Sequence, residues 1–68
     1  MRFDSRRADC SGYLEFIECD GQTVGLIVEM SDGSFHGMHG LKTVAATTVA
    51  SVKDQLFPLI EQSLCARI

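Results

Sequence analysis

The stretch Phe35-His36-Gly37-Met38-His39-Gly40 concentrates side chains able to do chemistry. Two histidines around a methionine suggest a metal, because imidazole and thioether are softer donors. In an extended segment, however, His36 and His39 have opposite parity and point to opposite faces. Glu29, across a hairpin from His36, is the only well-placed third donor, and closed sites usually need four. The alternative is a glycine-loosened strand end carrying a His36–Glu29 surface pair. His36 and His39 stay as metal candidates in second place, and no cofactor is expected.

The neighbouring run Gly37-Met38-His39-Gly40-Leu41-Lys42-Thr43 superficially resembles a phosphate loop, but Leu41 separates Gly40 from Lys42 and the pattern fails. A glycine-rich entry to a helix near Lys42 could still hold a small anion through free backbone N–H groups. Ser, Cys and His occur without a nucleophile elbow or a paired catalytic motif, so an enzyme is not expected. The three cysteines, Cys10, Cys19 and Cys65, are widely spaced and odd in number, which predicts free thiols and a reducing, cytoplasmic setting. A bridge between chains through Cys65 is the alternative.

Charge limits the partners. The chain has 68 residues and a formal net charge of -3, which argues against a nucleic-acid binder. The acidic residues cluster. Glu15, Glu18, Asp20, Glu29 and Asp32 fall within residues 13–34, a stretch with no Lys or Arg. One reading is ordinary solvation and edge protection. The other is a docking surface for a basic protein partner, since complementary charge speeds encounter and selects partners. No secretory segment opens the chain, and no apolar run reaches the roughly 18 residues of a membrane span.

These side chains need elements to position them. One small domain over residues 1–68 is expected, of α+β class: a two- or three-stranded antiparallel meander followed by an amphipathic helix. Residues 1–12 read as an arm or lead-in strand. Residues 13–38 read as the meander, with Asp20-Gly21 and Asp32-Gly33 as its turns, because Asp-Gly suits the positive φ of hairpin turns. A two-residue turn at Asp20-Gly21 puts Phe16 opposite Gly25 and Ile17 opposite Val24. One face then gathers Tyr13, Glu15, Ile17, Cys19, Val24, Leu26, Val28 and Met30, the other Leu14, Phe16, Glu18, Ile27 and Glu29. The second turn pairs Met30 with Phe35 and Glu29 with His36. A β-bulge at either turn would shift the register and swap the faces.

Residues 41–66 read as helix. Leu41, Ala45, Val49, Val52, Leu56, Ile60 and Leu64 recur at helical spacing, with Thr43 as N-cap. The β-branched Val44, Thr47, Thr48, Val49 and Val52 count against that reading. Pro58 should kink or break the helix by removing the N–H owed to the Asp54 carbonyl. The helix is expected on the face of Val24, Leu26 and Val28. One helix covers one face, so an exposed second face predicts a homodimer, through that face, a sheet edge or the helix ends. Leu14, Phe16, Ile27, Phe57 and Leu59 are its candidate contacts.

Over about residues 13–57 the element order resembles the antitoxin half of HicB-type pairs: strand, Asp-Gly turn, strand, short strand, glycine, alanine-containing helix. The acidic helix start common in that family is absent, since Leu41, Lys42 and Val44 stand there, and no family assignment follows. The function expected is a non-catalytic protein-interaction module. It would be a small cytoplasmic adaptor or inhibitor, of the kind encoded by phages or mobile elements, docking a basic partner through the acidic hairpin. The alternatives are a small-ligand or metal-binding domain at His36 and His39, or an antitoxin-like component. Neither nucleic acid nor membrane is expected as a partner.

Overall fold

A computed structural model describes residues 2–65. It is an α+β fold: a five-stranded antiparallel sheet followed by one helix. The strands are β1 (Asp4–Arg7), β2 (Leu14–Cys19), β3 (Gln22–Glu29), β4 (Phe35–His39) and β5 (Lys42–Ala46), lying side by side in chain order, and α1 spans Val49–Cys65. The expected two or three strands are an undercount. The lead-in segment pairs with β2, and part of the segment read as helix is a strand.

That second difference has a local cause. Gly40, at φ 61, opens a two-residue turn with Leu41, and His39 then faces Lys42. A glycine at the first central position is the signature of a type II′ hairpin. Thr43 and Val44 prefer extended backbone. The helix begins only at Val49. Its N-cap is Thr48, not Thr43: the Ser51 amide donates to Thr48 Oγ1 at 3.2 Å and the Val52 amide to the Thr48 carbonyl at 3.2 Å. Pro58 lies inside the helix, which runs on to Cys65 rather than stopping there. Asp54 and Pro58 are both exposed, so water can satisfy the carbonyl that Pro58 leaves without a donor. The last position of the expected helix, 66, lies outside the described residues.

The Asp20-Gly21 turn forms as expected, with φ of 53 and 80 at its centre, the pattern of type I′. Beyond it the register departs from simple pairing. Glu18 faces Thr23, but Ile17 faces Gly25, so Val24 is an extra residue in β3. The bulge carries Gly25 and Ile27 to the helix side and turns Leu26 and Val28 to the other side. The expected faces of β3 are thus exchanged. Phe16 faces Leu26 instead of shielding Gly25. At the second turn the Gly33 amide donates to the Met30 carbonyl at 3.0 Å, and the Met30 amide to the Ser34 carbonyl at 2.8 Å. That closes a three-residue loop with Gly33 at φ 88, so Glu29 faces Phe35 and Val28 faces His36.

The core is Ile17 and Ile27 from the sheet with Val52, Leu56 and Ile60 from the helix, all fully buried. The helix passes closest over β4 and β5. There a Cβ on Gly37 would stand 2.6 Å from Val52 Cγ1, and in β3 one on Gly25 would stand 3.3 Å from Ile60 Cδ1 of the helix as well as 2.8 Å from the Met38 carbonyl oxygen of β4. The two strand glycines are what let helix and sheet approach. A helix of about 10 Å diameter cannot cover five strands spaced about 4.8 Å apart. Side chains complete the cover over β1 and β2. Phe3 stacks on Phe57 with centroids 4.9 Å apart, and Tyr13 meets the edge of Phe35 at 5.5 Å.

Candidate interaction surface

Among the described residues no element lies over the face away from the helix. Alternation from the observed register places Arg6 on it from β1, Leu14, Phe16 and Glu18 from β2, Leu26 and Val28 from β3, His36 and Met38 from β4, and Thr43 and Ala45 from β5. Phe16, Leu26 and Met38 form one cross-strand row. Leu14, Val28 and His36 form the next. All six side chains are half-buried. The result is an apolar band running across three strands.

Ion pairs line one margin of this band. Arg6 Nε lies 3.4 Å from Glu18 Oε2, and its guanidinium sits 4.8 Å from the Phe16 ring centroid. Arg2 Nε and Asp4 Oδ1 are 3.8 Å apart. Asp20, Asp32 and Glu29 are among the carboxylates without a basic partner in the described residues, and these three stand at the ends of the β2–β3 and β3–β4 hairpins. Asp20 is exposed in the β2–β3 turn. Asp32 is exposed in the β3–β4 loop, where its Oδ1 accepts hydrogen bonds from the Ser34 amide at 2.9 Å and hydroxyl at 2.6 Å. Those bonds hold its carboxyl below the ordinary range, and His36 adds to the effect. Glu29 is exposed at the end of β3.

Glu15, counted in sequence with the acidic surface, is only 3% exposed. It lies on the helix side. Tyr13 Oη donates to Glu15 Oε1, and Lys53 Nζ of α1 approaches Oε2 at 2.7 Å. Among the described residues Lys53 is the partner that meets the buried Oε2. Burial by itself raises the Glu15 pKa. The Lys53, Tyr13 and Ser5 side chains and the Lys53 charge outweigh it and hold the carboxyl below its ordinary value. Tyr13 is pushed up to about 12, first by burial and then by its bond to the Glu15 carboxylate. The Arg7 guanidinium lies 3.9 Å from the Tyr13 ring centroid.

Of the residues expected at a dimer contact, Leu14 and Phe16 lie on the open face. Ile27 is fully buried under the helix. Phe57 is engaged with Phe3, and Leu59 is half-buried on α1. His36 and His39 fall on opposite faces. His39 Nδ1 lies 2.6 Å from the Val24 carbonyl oxygen. A carbonyl only accepts, so Nδ1 carries the proton. His39 thereby satisfies the residue that the bulge takes out of the ladder. Among the described residues no three His, Cys, Asp or Glu side chains come together as a metal site. Cys10 and Cys65 are exposed and Cys19 is buried.

Sequence reasoning missed Leu26 and Val28 as members of this surface, and paired Met38 with Ile27 where the structure pairs it with Leu26. The signal that could have found them is the bulge, which alone decides which half of β3 looks outward. Among the described residues no helix is long and apolar enough to cross a membrane. Comparison of the chain with protein-family models, with curated proteins and with solved structures finds no match.

Proposed function

We propose that the protein is a non-catalytic protein-interaction module, a small adaptor or inhibitor, and that it docks its partner on the open face of the sheet. One observation carries the reading. Leu14, Phe16, Leu26, Val28 and Met38 stand side by side, half-buried, on a face that no element among the described residues covers. Contiguous apolar patches of this kind mark interaction sites. Asp20 and Asp32 stand beyond opposite ends of β3, on either side of the band, each without a basic partner among the described residues. The complementary partner is a protein segment with an apolar stripe and Lys or Arg at its ends. The apolar centre supplies affinity and the two carboxylates supply orientation and encounter rate.

The test is an NMR titration with a synthetic amphipathic peptide whose apolar stripe is flanked by lysines. Amide shifts are expected at Phe16, Leu26, Val28 and Met38. Leu26→Asp should abolish binding, since it buries a charge at the centre. The pair Asp20→Lys and Asp32→Lys should weaken it severalfold and flatten its salt dependence. Shifts confined to the helix, or none up to millimolar peptide, would overturn the reading.

A further inference from the structure

The two edges of the sheet are built differently. β1, on one edge, carries Asp4, Arg6 and Arg7, the charge guard that keeps edges from pairing. β5, on the other, reads Lys-Thr-Val-Ala-Ala and has no charge after its first residue. The two-residue turn makes His39 and Lys42 a hydrogen-bonded pair, and alternation makes Gly37–Val44 and Phe35–Ala46 the next such pairs. The N–H and C=O groups of Thr43 and Ala45 therefore point outward. One cover reaches them: Gln55 Nε2 donates to the Ala45 carbonyl at 3.3 Å, a bond it divides with the Ser51 carbonyl at 3.3 Å.

The flank of α1 above this edge is also uncharged. Gln55 marks it, and Ser51, Leu59 and Gln62 share it at helical spacing. Lys53 and Phe57 point the other way, toward Glu15 and Phe3. Leu41, at the turn that opens β5, is fully exposed at 105%.

We propose that β5 is the seam of a two-fold dimer, in which β5 of a second copy adds antiparallel with Val44 facing its own equivalent across the axis. This register places Thr43 opposite Ala45 of the partner subunit, and the reverse, so both outward pairs exchange both of their hydrogen bonds. No other symmetric register within β5 satisfies all four of these residues. It keeps the two Lys42 side chains apart, each opposite the partner's Ala46, so the seam brings no like charges together. The Ala45 carbonyl can accept the new bond alongside that of Gln55, having two lone pairs. The product is a continuous ten-stranded sheet with both helices on one side, which joins the two open faces into one. The proposal stands apart from what docks on that face.

Light scattering across a concentration series, with amide hydrogen exchange on the same samples, tests it. The expected mass is twice the 7.5 kDa of the chain. Ala45→Pro removes an outward N–H without touching a bond inside the chain, and should return the mass to one chain with unchanged circular dichroism. Leu26→Asp should leave the dimer intact. In the native chain the Thr43 and Ala45 amides should become protected as the dimer fills, which decides the matter even if Ala45→Pro fails to fold. A single-chain mass up to millimolar concentration would overturn the proposal. So would a dimer that Leu26→Asp breaks and Ala45→Pro spares, or one whose Thr43 and Ala45 amides stay unprotected.

Discussion

Glu15 is the residue whose environment differs most from its appearance in sequence. A carboxylate in a stretch with five acidic residues and no basic one reads as surface, yet it is buried and answers to a lysine on the helix. Removing one partner of a buried pair leaves an uncompensated charge, so Lys53→Met should cost about 3 kcal/mol in urea denaturation. Adding Glu15→Gln should recover much of that loss, because the remaining group no longer needs a cation. The pair also shapes the pH dependence. Glu15 has a depressed folded pKa, so its contribution is present above its ordinary value of 4.5 and lost as pH falls through the folded value. Tyr13 is raised, so its contribution is present below 10.0 and lost as pH rises toward about 12. Thermal melts should therefore show a stability plateau with shoulders outside those limits, and Lys53→Met should move the acid shoulder to higher pH.

At the scale of elements, the bulge at Val24 decides the packing. It adds one residue to β3, and a period-two strand exchanges its faces when shifted by one. Asp20-Gly21 made the hairpin legible, but nothing local distinguishes a hairpin with the bulge from one without it. What favours it lies far along the chain. Gly25 and Gly37 must meet the helix, and the His39 ring must reach the freed Val24 carbonyl. His39→Ala should thus destabilise the fold by about 1 kcal/mol, the net worth of a part-buried hydrogen bond. Thermal denaturation checks this, and His39→Asn should recover part of the loss if its amide reaches the same oxygen. β5 was hidden for a related reason. Leu41 and Ala45 extend the apolar stripe of α1 backwards at helical spacing, while the strand preference of Thr43 and Val44 and the Gly40 turn point the other way. Val52, Leu56 and Ile60 were legible as core because the true helix keeps that spacing throughout.

At the scale of the molecule, one helix is too narrow for five strands, and the remainder of its side of the sheet is closed by residues distant in sequence. Phe3 precedes β1 and stacks on Phe57 near the middle of α1, tying the start of the chain to the helix. Phe57→Ala should lower stability by about 2–3 kcal/mol in chemical denaturation, as expected for a large aromatic that is only partly buried. It should also speed amide exchange in β1 more than in β4, because β1 has no helix above it. The candidate surface was legible only in part. Leu14 and Phe16 were placed on the uncovered face from sequence, but Ile27 was placed there in error. Leu26 and Val28 came to it only through the bulge in β3, beside Met38 of β4.

From its sequence alone the chain specified an α+β class, two Asp-Gly turns, a C-terminal helix with its buried stripe, and an acidic central hairpin. Those are local properties, set by backbone preferences and by periodicity within a dozen residues. The strand count, the faces of β3, the burial of Glu15 and the work of His39 were decided in the tertiary structure. Each depends on which distant groups meet, and a one-residue bulge reverses that outcome at almost no local cost.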